Sequence, residues 1–211
     1  QYAGSTSVTQ NITISTTLAD SATMSLSTNS SNYKTTEVVA SNGSEEDELD
    51  KVAFLAFDLK ANKADLTVTD LAVRFSQSGS TATATTAYLY DGSTLVSTET
   101  IDSNTGIASF TDSNELFSVS KDSTKTLTVK VDIRDANGTA ATMVATVGTI
   151  TAENSEGSTV SATGSAQGEG FIVKNVGPVF TLVGTPTVTR TALSSNDTSG
   201  IATSTLTAIF N

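Results

Sequence analysis

A chain of 211 residues with 11 basic and 22 acidic side chains has a formal charge of −11 and shows no basic stripe to displace counterions from a phosphate backbone, so nucleic acid and anionic membranes are not expected partners. It has no His and no Cys, which removes disulfides and leaves the usual Ser/His and Cys/His relays without a base or a nucleophile; it is not expected to be an enzyme. No run approaches the roughly 18 apolar residues of a membrane span, aromatics are 6% and Trp is absent, while Ser and Thr abound, a balance that favours many short strands with hydroxyl-bearing outer faces.

In chain order, the start "QYAGSTSVTQ" has neither an initiator Met nor the apolar core of a signal peptide, which suggests a processed or trimmed N-terminus and, with the Ser/Thr excess, an extracellular, cell-surface location. The first strand-like run, "VTQNITIST", places Val8, Ile12 and Ile14 ahead of the main body. "ATMSLST" follows, and then the acidic stretch "SNGSEEDELD", whose Asn42, Glu45, Glu46, Asp47, Glu48 and Asp50 crowd oxygens into one loop. Ca²⁺ takes about 6 to 8 such ligands, but the spacing is not that of an EF-hand. A solvated loop is therefore the favoured reading, with no cofactor expected and Asp47, Glu48 and Asp50 as the minority cation candidates; Asp132, Asp135 and Asn137 in "DIRDANG" form a second such set.

"VAFLAFDLKA" has apolar residues on both faces, as a strand covered on both sides has, either by a neighbouring subunit or by a crossing loop. "LTVTDLAVRF", "TAYLY", "STLVSTETI", "GIASF", "ELFSV", "KTLTVKVDI", "TMVATVGTI", "TVSAT", "GFIVKN" and "PVFTLV" continue the series with no sustained helical period. Asp91-Gly92 reads as a hairpin turn, Asn137-Gly138 as a turn after "VKVDI", and Gly157 as the break between two polar-rich strands. In "KTLTVKVDI" the set Leu127, Val129, Val131 and Ile133 faces one way and Lys125, Thr128, Lys130 and Asp132 the other. The expected fold is all-β, an antiparallel β-sandwich of Ig-like or jelly-roll-like Greek-key type with extra terminal strands, and a core including Phe54 or Leu55 with Leu127, Val129, Val131 and Ile133.

One internal similarity stands out. "ATMSLSTNSSN" leads into "DKVAFLAFD", and "TPTVTRTALSSND" leads into "STLTAIFN", so that Ser30-Ser31-Asn32 answers to Ser194-Ser195-Asn196 and Phe57-Asp58 to Phe210-Asn211. The expected organisation is an N-terminal strand over residues 1–16, a sandwich over 17–175, and C-terminal strands over 176–211 that resemble the start of a second repeat.

The order "VAFLAFDLKANKADLTVTDLAVRF", "AYLYDGSTLVSTETI", "SFTDSNELFSVSKDSTKTLTVKVDI" and "GTITAENSEGSTVSATGSAQGEGFIVKN" resembles the repeated β-sandwich modules in surface proteins of Candidate Phyla Radiation bacteria, over Val52 to Asn175. The "LYDGS" hairpin, the "LTVKVDI" strand and the exit strand carry the likeness, which implies a surface module and brings no catalytic residues; the acidic loop at Glu45 to Asp50 lies outside the pattern.

Two functions of different class follow. In the first, the chain is a structural subunit of an extracellular filament or surface layer, a homo-oligomer joined by terminal strand exchange. Val8, Ile12 and Ile14 form the preferred donor strand, and Ile201, Leu206, Ala208 and Phe210 the alternative interface. Donor-strand pili and archaeal bundling pili follow the same architectural logic. In the second, it is an adhesive or ligand-binding module of a longer surface protein. Sequons at Asn11, Asn29, Asn42, Asn137 and Asn196 make a glycan a further candidate partner.

Overall fold

The computed structural model describes residues 21–40, 49–175, 187–192 and 201–207; residues 80–81, 135–140, 187–192 and 201–207 are described by backbone alone. Among the described residues there are twelve strands: β1 Thr23–Thr28, β2 Glu37–Val39, β3 Leu49–Asn62, β4 Leu66–Asp91, β5 Thr94–Thr100, β6 Ile107–Thr111, β7 Phe117–Val119, β8 Thr124–Asn154, β9 Thr159–Ser165, β10 Phe171–Lys174, β11 Thr187–Ala192 and β12 Ile201–Thr207. The chain divides into a unit ending at Val176 and a second unit beginning at Gly177.

The first unit is built on β4 and β8, which pair antiparallel from Leu66↔Asn154 to Asp91↔Leu127. The sequence suggests separate strands for "LTVTDLAVRF" and "TAYLY", and for "KTLTVKVDI" and "TMVATVGTI"; each pair is instead one continuous strand. Asn137-Gly138 accordingly makes no hairpin turn. Asn137 pairs with Thr81, and the ladder shifts register on both sides of Thr81. Irregularities of this kind let a strand leave one sheet and enter another.

One layer of the sandwich is β5, the second half of β4, the first half of β8, β3 and β1. The other is β6 and β7 on the first half of β4, followed by the second half of β8 with β9 and β10. Since β1 also pairs with β9, the pairings β8–β3–β1–β9 return to β8. The fold class expected from strand period is the one found, with one departure: β1–β9 and β2–β10 are parallel.

Closure between β1 and β9 depends on Gly164, opposite Leu26. Its φ is +101°, and a Cβ there would lie 2.3 Å from the Leu26 carbonyl oxygen, so only glycine lets the strands approach.

Alternation along β8 buries Leu127, Val129, Val131 and Ile133, all as expected, and then Ala141, Met143, Ala145 and Val147. The two-sided pattern of β3 has a specific cause. Its ladder with β8 is irregular between Ala53 and Leu55, so Phe54 is buried beside Leu55; it stacks on Phe171 at 4.2 Å and meets Phe75 edge-on at 6.1 Å. Ala56 is covered from the other side by the loop after β1, where its N–H donates to Asn32 Oδ1 at 2.8 Å and its carbonyl accepts Asn29 N–H at 3.0 Å. A crossing loop thus covers the outer face of β3 within the chain.

In the second unit, β11 pairs antiparallel with β12 from Thr187↔Thr207 to Ala192↔Ile201. β11 occupies in the proposed repeat the place of β1. The register differs, however: β1 brings Thr28 opposite Phe57, whereas Ala192 faces Ile201 rather than Phe210.

Leu127→Ala is expected to destabilise the fold by about 2 to 5 kcal/mol through the cavity it leaves, and Val131→Asp more severely by burying an unpaired charge, whereas Thr128→Ala is nearly neutral; chemical unfolding midpoints check the order. Gly164→Ala is expected to cost at least about 1 to 3 kcal/mol from backbone strain alone, read in the same assay, and equal midpoints for it and the wild type would remove its assigned role.

Candidate binding face

The outer side of the first layer gathers aromatic, cationic and hydroxyl side chains that are not core. On β4, Tyr88 and Tyr90 alternate with buried Ala87 and Leu89; on β8, Thr128 and Lys130 alternate with the core set. Register places Tyr88 opposite Lys130 and Thr98, and Tyr90 opposite Thr128 and Leu95. Directly opposed residues share a face, so the two tyrosines, the lysine and the threonines form one surface. Lys130 Nζ lies 4.3 Å from the Tyr90 ring centroid, a cation–π contact diagonal across the ladder.

Asp132 anchors this surface. Sequence alternation puts it on the solvent side, yet it is 7% exposed. Its Oδ2 accepts the Tyr88 hydroxyl at 2.6 Å and its Oδ1 accepts the backbone N–H of Lys51 at 2.7 Å. Lys51 reaches it because the β3–β8 ladder is irregular between Leu49 and Val52 and Lys51 has a φ of 50°. The same bulge carries Lys51 Nζ to 5.2 Å from the Tyr88 centroid. Each tyrosine ring is therefore faced by an ammonium. Further along the face, Asp58 Oδ1 accepts Thr126 Oγ1 at 2.6 Å and Asn29 Nδ2 at 2.8 Å. At the margin Leu95 is 48% exposed, and with Val39 at 42% it completes the exposed large apolar side chains among the described residues.

These contacts bear on the residues singled out from sequence. Val8, Asn11, Ile12, Ile14, Asn42, Glu45, Glu46, Asp47, Glu48, Asn196, Ala208 and Phe210 lie outside the described residues. Asp50 is exposed on β3, and no group of three acidic side chains fit to hold a metal occurs among the described residues. Asp132 has both oxygens engaged by Tyr88 and Lys51, while only the backbone is described at Asp135 and Asn137. The Asn29 amide nitrogen, where a glycan would attach, already donates to Asp58, and its oxygen accepts the Ser31 N–H at 2.8 Å. Ile201 and Leu206 lie on β12, paired by backbone with β11.

A separate cleft of about 400 Å³ lies at the bend of β4, lined by Arg74, Gln77, Asp102, Asn104, Thr105 and Met143 among others. Asp102 is its one carboxylate among the described lining. The N–H of Thr105, the hydroxyl of Thr105 and the N–H of Asn104 hold that group below the usual carboxylate value. It is thus a turn-forming carboxylate. Sequence reasoning missed the tyrosine face because its elements, "TAYLY" and "KVDI", become neighbours only through the β4–β8 ladder.

No family model matches the chain, and no curated protein matches it. Among solved structures it is similar to a chain of a type I cohesin–dockerin complex from Clostridium thermocellum, with a TM-score of 0.31, 10% identity, and coverage of 72% of this chain and 94% of that one. It is also similar to the seventh ScaB type I cohesin of Pseudobacteroides cellulosolvens, with a TM-score of 0.31, 8% identity, and coverage of 74% and 96%. A family 123 glycoside hydrolase from Clostridium perfringens gives a TM-score of 0.30 and 13% identity over 76% of this chain and 28% of that one. Likeness at this level does not extend to function.

Proposed function

We propose that the chain is a non-catalytic binding module of a cell-surface protein and that the Tyr88–Tyr90–Lys130 face meets its target. One observation carries the choice of this reading over a strand-exchanging filament subunit. A strand-exchange subunit needs a groove in which core side chains await a foreign strand, whereas here Val39 and Leu95 are the exposed large apolar residues among those described, and β12 pairs within its own chain. The target class follows from the lysines. Lys130 and Lys51 face the tyrosine rings, occupying the platform on which a sugar would stack and offering positive charge on a chain whose net charge is −11. An acidic protein surface matches that arrangement.

Beads coated with the chain are expected to bind whole source cells in a manner weakened by salt, and Lys130→Glu combined with Tyr90→Ser to reduce binding about tenfold or more, the scale of a lost interface anchor. Undiminished binding by the double variant, or uniform filaments of the purified chain in negative stain, would overturn the proposal. Tyr88→Phe tests the frame beneath the face: it removes the Asp132 contact and is expected to cost about 1 to 3 kcal/mol in chemical unfolding.

A further inference from the structure

The described edges of the two layers are unequal. β2 and β7 are three residues long and β6 five, whereas β5 has seven; β5, like β6 and β7, pairs only with β4 among the described residues. Exposed edges are usually blunted by Lys, Pro, bulges, inward charges or brevity. β5, "TLVSTET", has neither Lys nor Pro; its bulge lies toward one end at Val96, and its single charge, Glu99, opposite buried Ala87, accepts a hydrogen bond from Ser97 Oγ within the strand at 3.4 Å. We propose that β5 pairs with β5 of a second copy of this chain, antiparallel about a twofold axis at Thr98. This pairing does not rest on what the tyrosine face binds, although Thr98 lies at the margin of that face.

The backbone directions select that axis. The Ile101 N–H donates to the Thr85 carbonyl on β4 at 2.9 Å, so alternation turns the amides of Glu99 and Ser97 toward β4 and those of Thr98 and Thr100 outward. Thr98 and Thr100 are exposed. With Thr98 facing its own copy, the two residues exchange both backbone hydrogen bonds, Val96 faces Thr100, and Ser97 faces Glu99. The Ser97 hydroxyl then has an acceptor across the axis, and Glu99 meets no like charge directly opposite. The β4–β5 ladder pairs Leu89 with Ser97 and Tyr90 with Leu95, which makes Val96 a bulge residue two positions from the axis, while residues 97–100 that carry the axis pair regularly. Each copy spends its β5 edge on the other, so the contact closes as a dimer and does not propagate.

Each copy has a net charge of −11, so association is opposed by mutual repulsion and strengthens as salt screens it, the reverse of the salt response of the tyrosine–lysine face. Sedimentation equilibrium of the full chain at low and high salt is expected to show a monomer–dimer equilibrium that tightens with salt, and amide exchange at Thr98 and Thr100 to slow as concentration rises. Thr98→Pro removes only an outward N–H, a place where an edge strand tolerates proline, and Thr98→Lys sets two ammonium groups across the axis; each is expected to weaken dimerisation at least about tenfold. If the proline variant fails to fold by circular dichroism, the lysine variant decides. A monomer at every concentration in high salt, or a dimer that the folded variants leave intact, would overturn the proposal.

Discussion

Everything in the first unit hangs on the antiparallel ladder between β4 and β8, which runs from Leu66↔Asn154 to Asp91↔Leu127. Each of these strands contributes to both layers, so the layers are joined covalently as well as by packing. Their inward residues from the two halves, Leu71, Val73, Leu89, Leu127, Val131 and Ala145 among them, are members of one buried cluster. The register shifts near Thr81 are what make this architecture available to an otherwise regular ladder, because a flat ribbon of that length could not turn both halves toward a common core.

The same ladder creates the tyrosine–lysine face and sets its limits. Tyr88 and Lys130 oppose each other because the β4–β8 register says so, and Asp132 then falls within reach of the tyrosine hydroxyl. A buried carboxylate needs more than one donor, and the second comes from Lys51 through a left-handed bulge in β3. The bulge thus satisfies a core requirement and delivers an ammonium to the surface in one step. Backbone strain and surface chemistry are coupled here through a single residue.

The parts of this arrangement that period alone encodes were legible in the sequence. Leu127, Val129, Val131 and Ile133 are apolar at every second position, and Asp91-Gly92 turns the chain with Gly92 at a φ of 58°, so both strand facing and hairpin follow from local rules. What was not legible depends on irregularity or on distance. Asn137-Gly138 has turn chemistry but pairs through, because a long ladder outweighs a local preference. The two-sided apolar pattern of β3 was readable as covered on both faces, yet its cause, a bulge at Phe54 plus a loop that lends Asn32 to the Ala56 amide, lies in residues far apart in sequence. Asp132 looked like a solvent-facing acid or a cation ligand, since nothing in "DIRDANG" announces Lys51 or Tyr88.

The acidic composition takes on a different meaning once the hydrogen bonds of the carboxylates are traced. Two ion pairs between described side chains, Lys125–Asp91 and Lys174–Glu37, are partly to largely exposed and contribute little to stability. Many carboxylates instead serve the backbone. Asp102 accepts the N–H of Asn104 and Thr105, and Asp112 those of Asn114 and Glu115. Asp65 and Asp122 make a reciprocal clasp, the first accepting from Lys121 N–H at 2.6 Å and the second from Lys63 N–H at 3.0 Å, with Lys63 and Asp122 at φ values of 72° and 55°. A left-handed residue in a tight turn leaves amides that no ladder can satisfy, and an aspartate one turn away supplies the acceptor. A chain with strands this long and loops this short has many such amides. Part of its excess of acid over base therefore follows from the fold, and the repulsion between copies that this excess creates opposes the pairing proposed for β5.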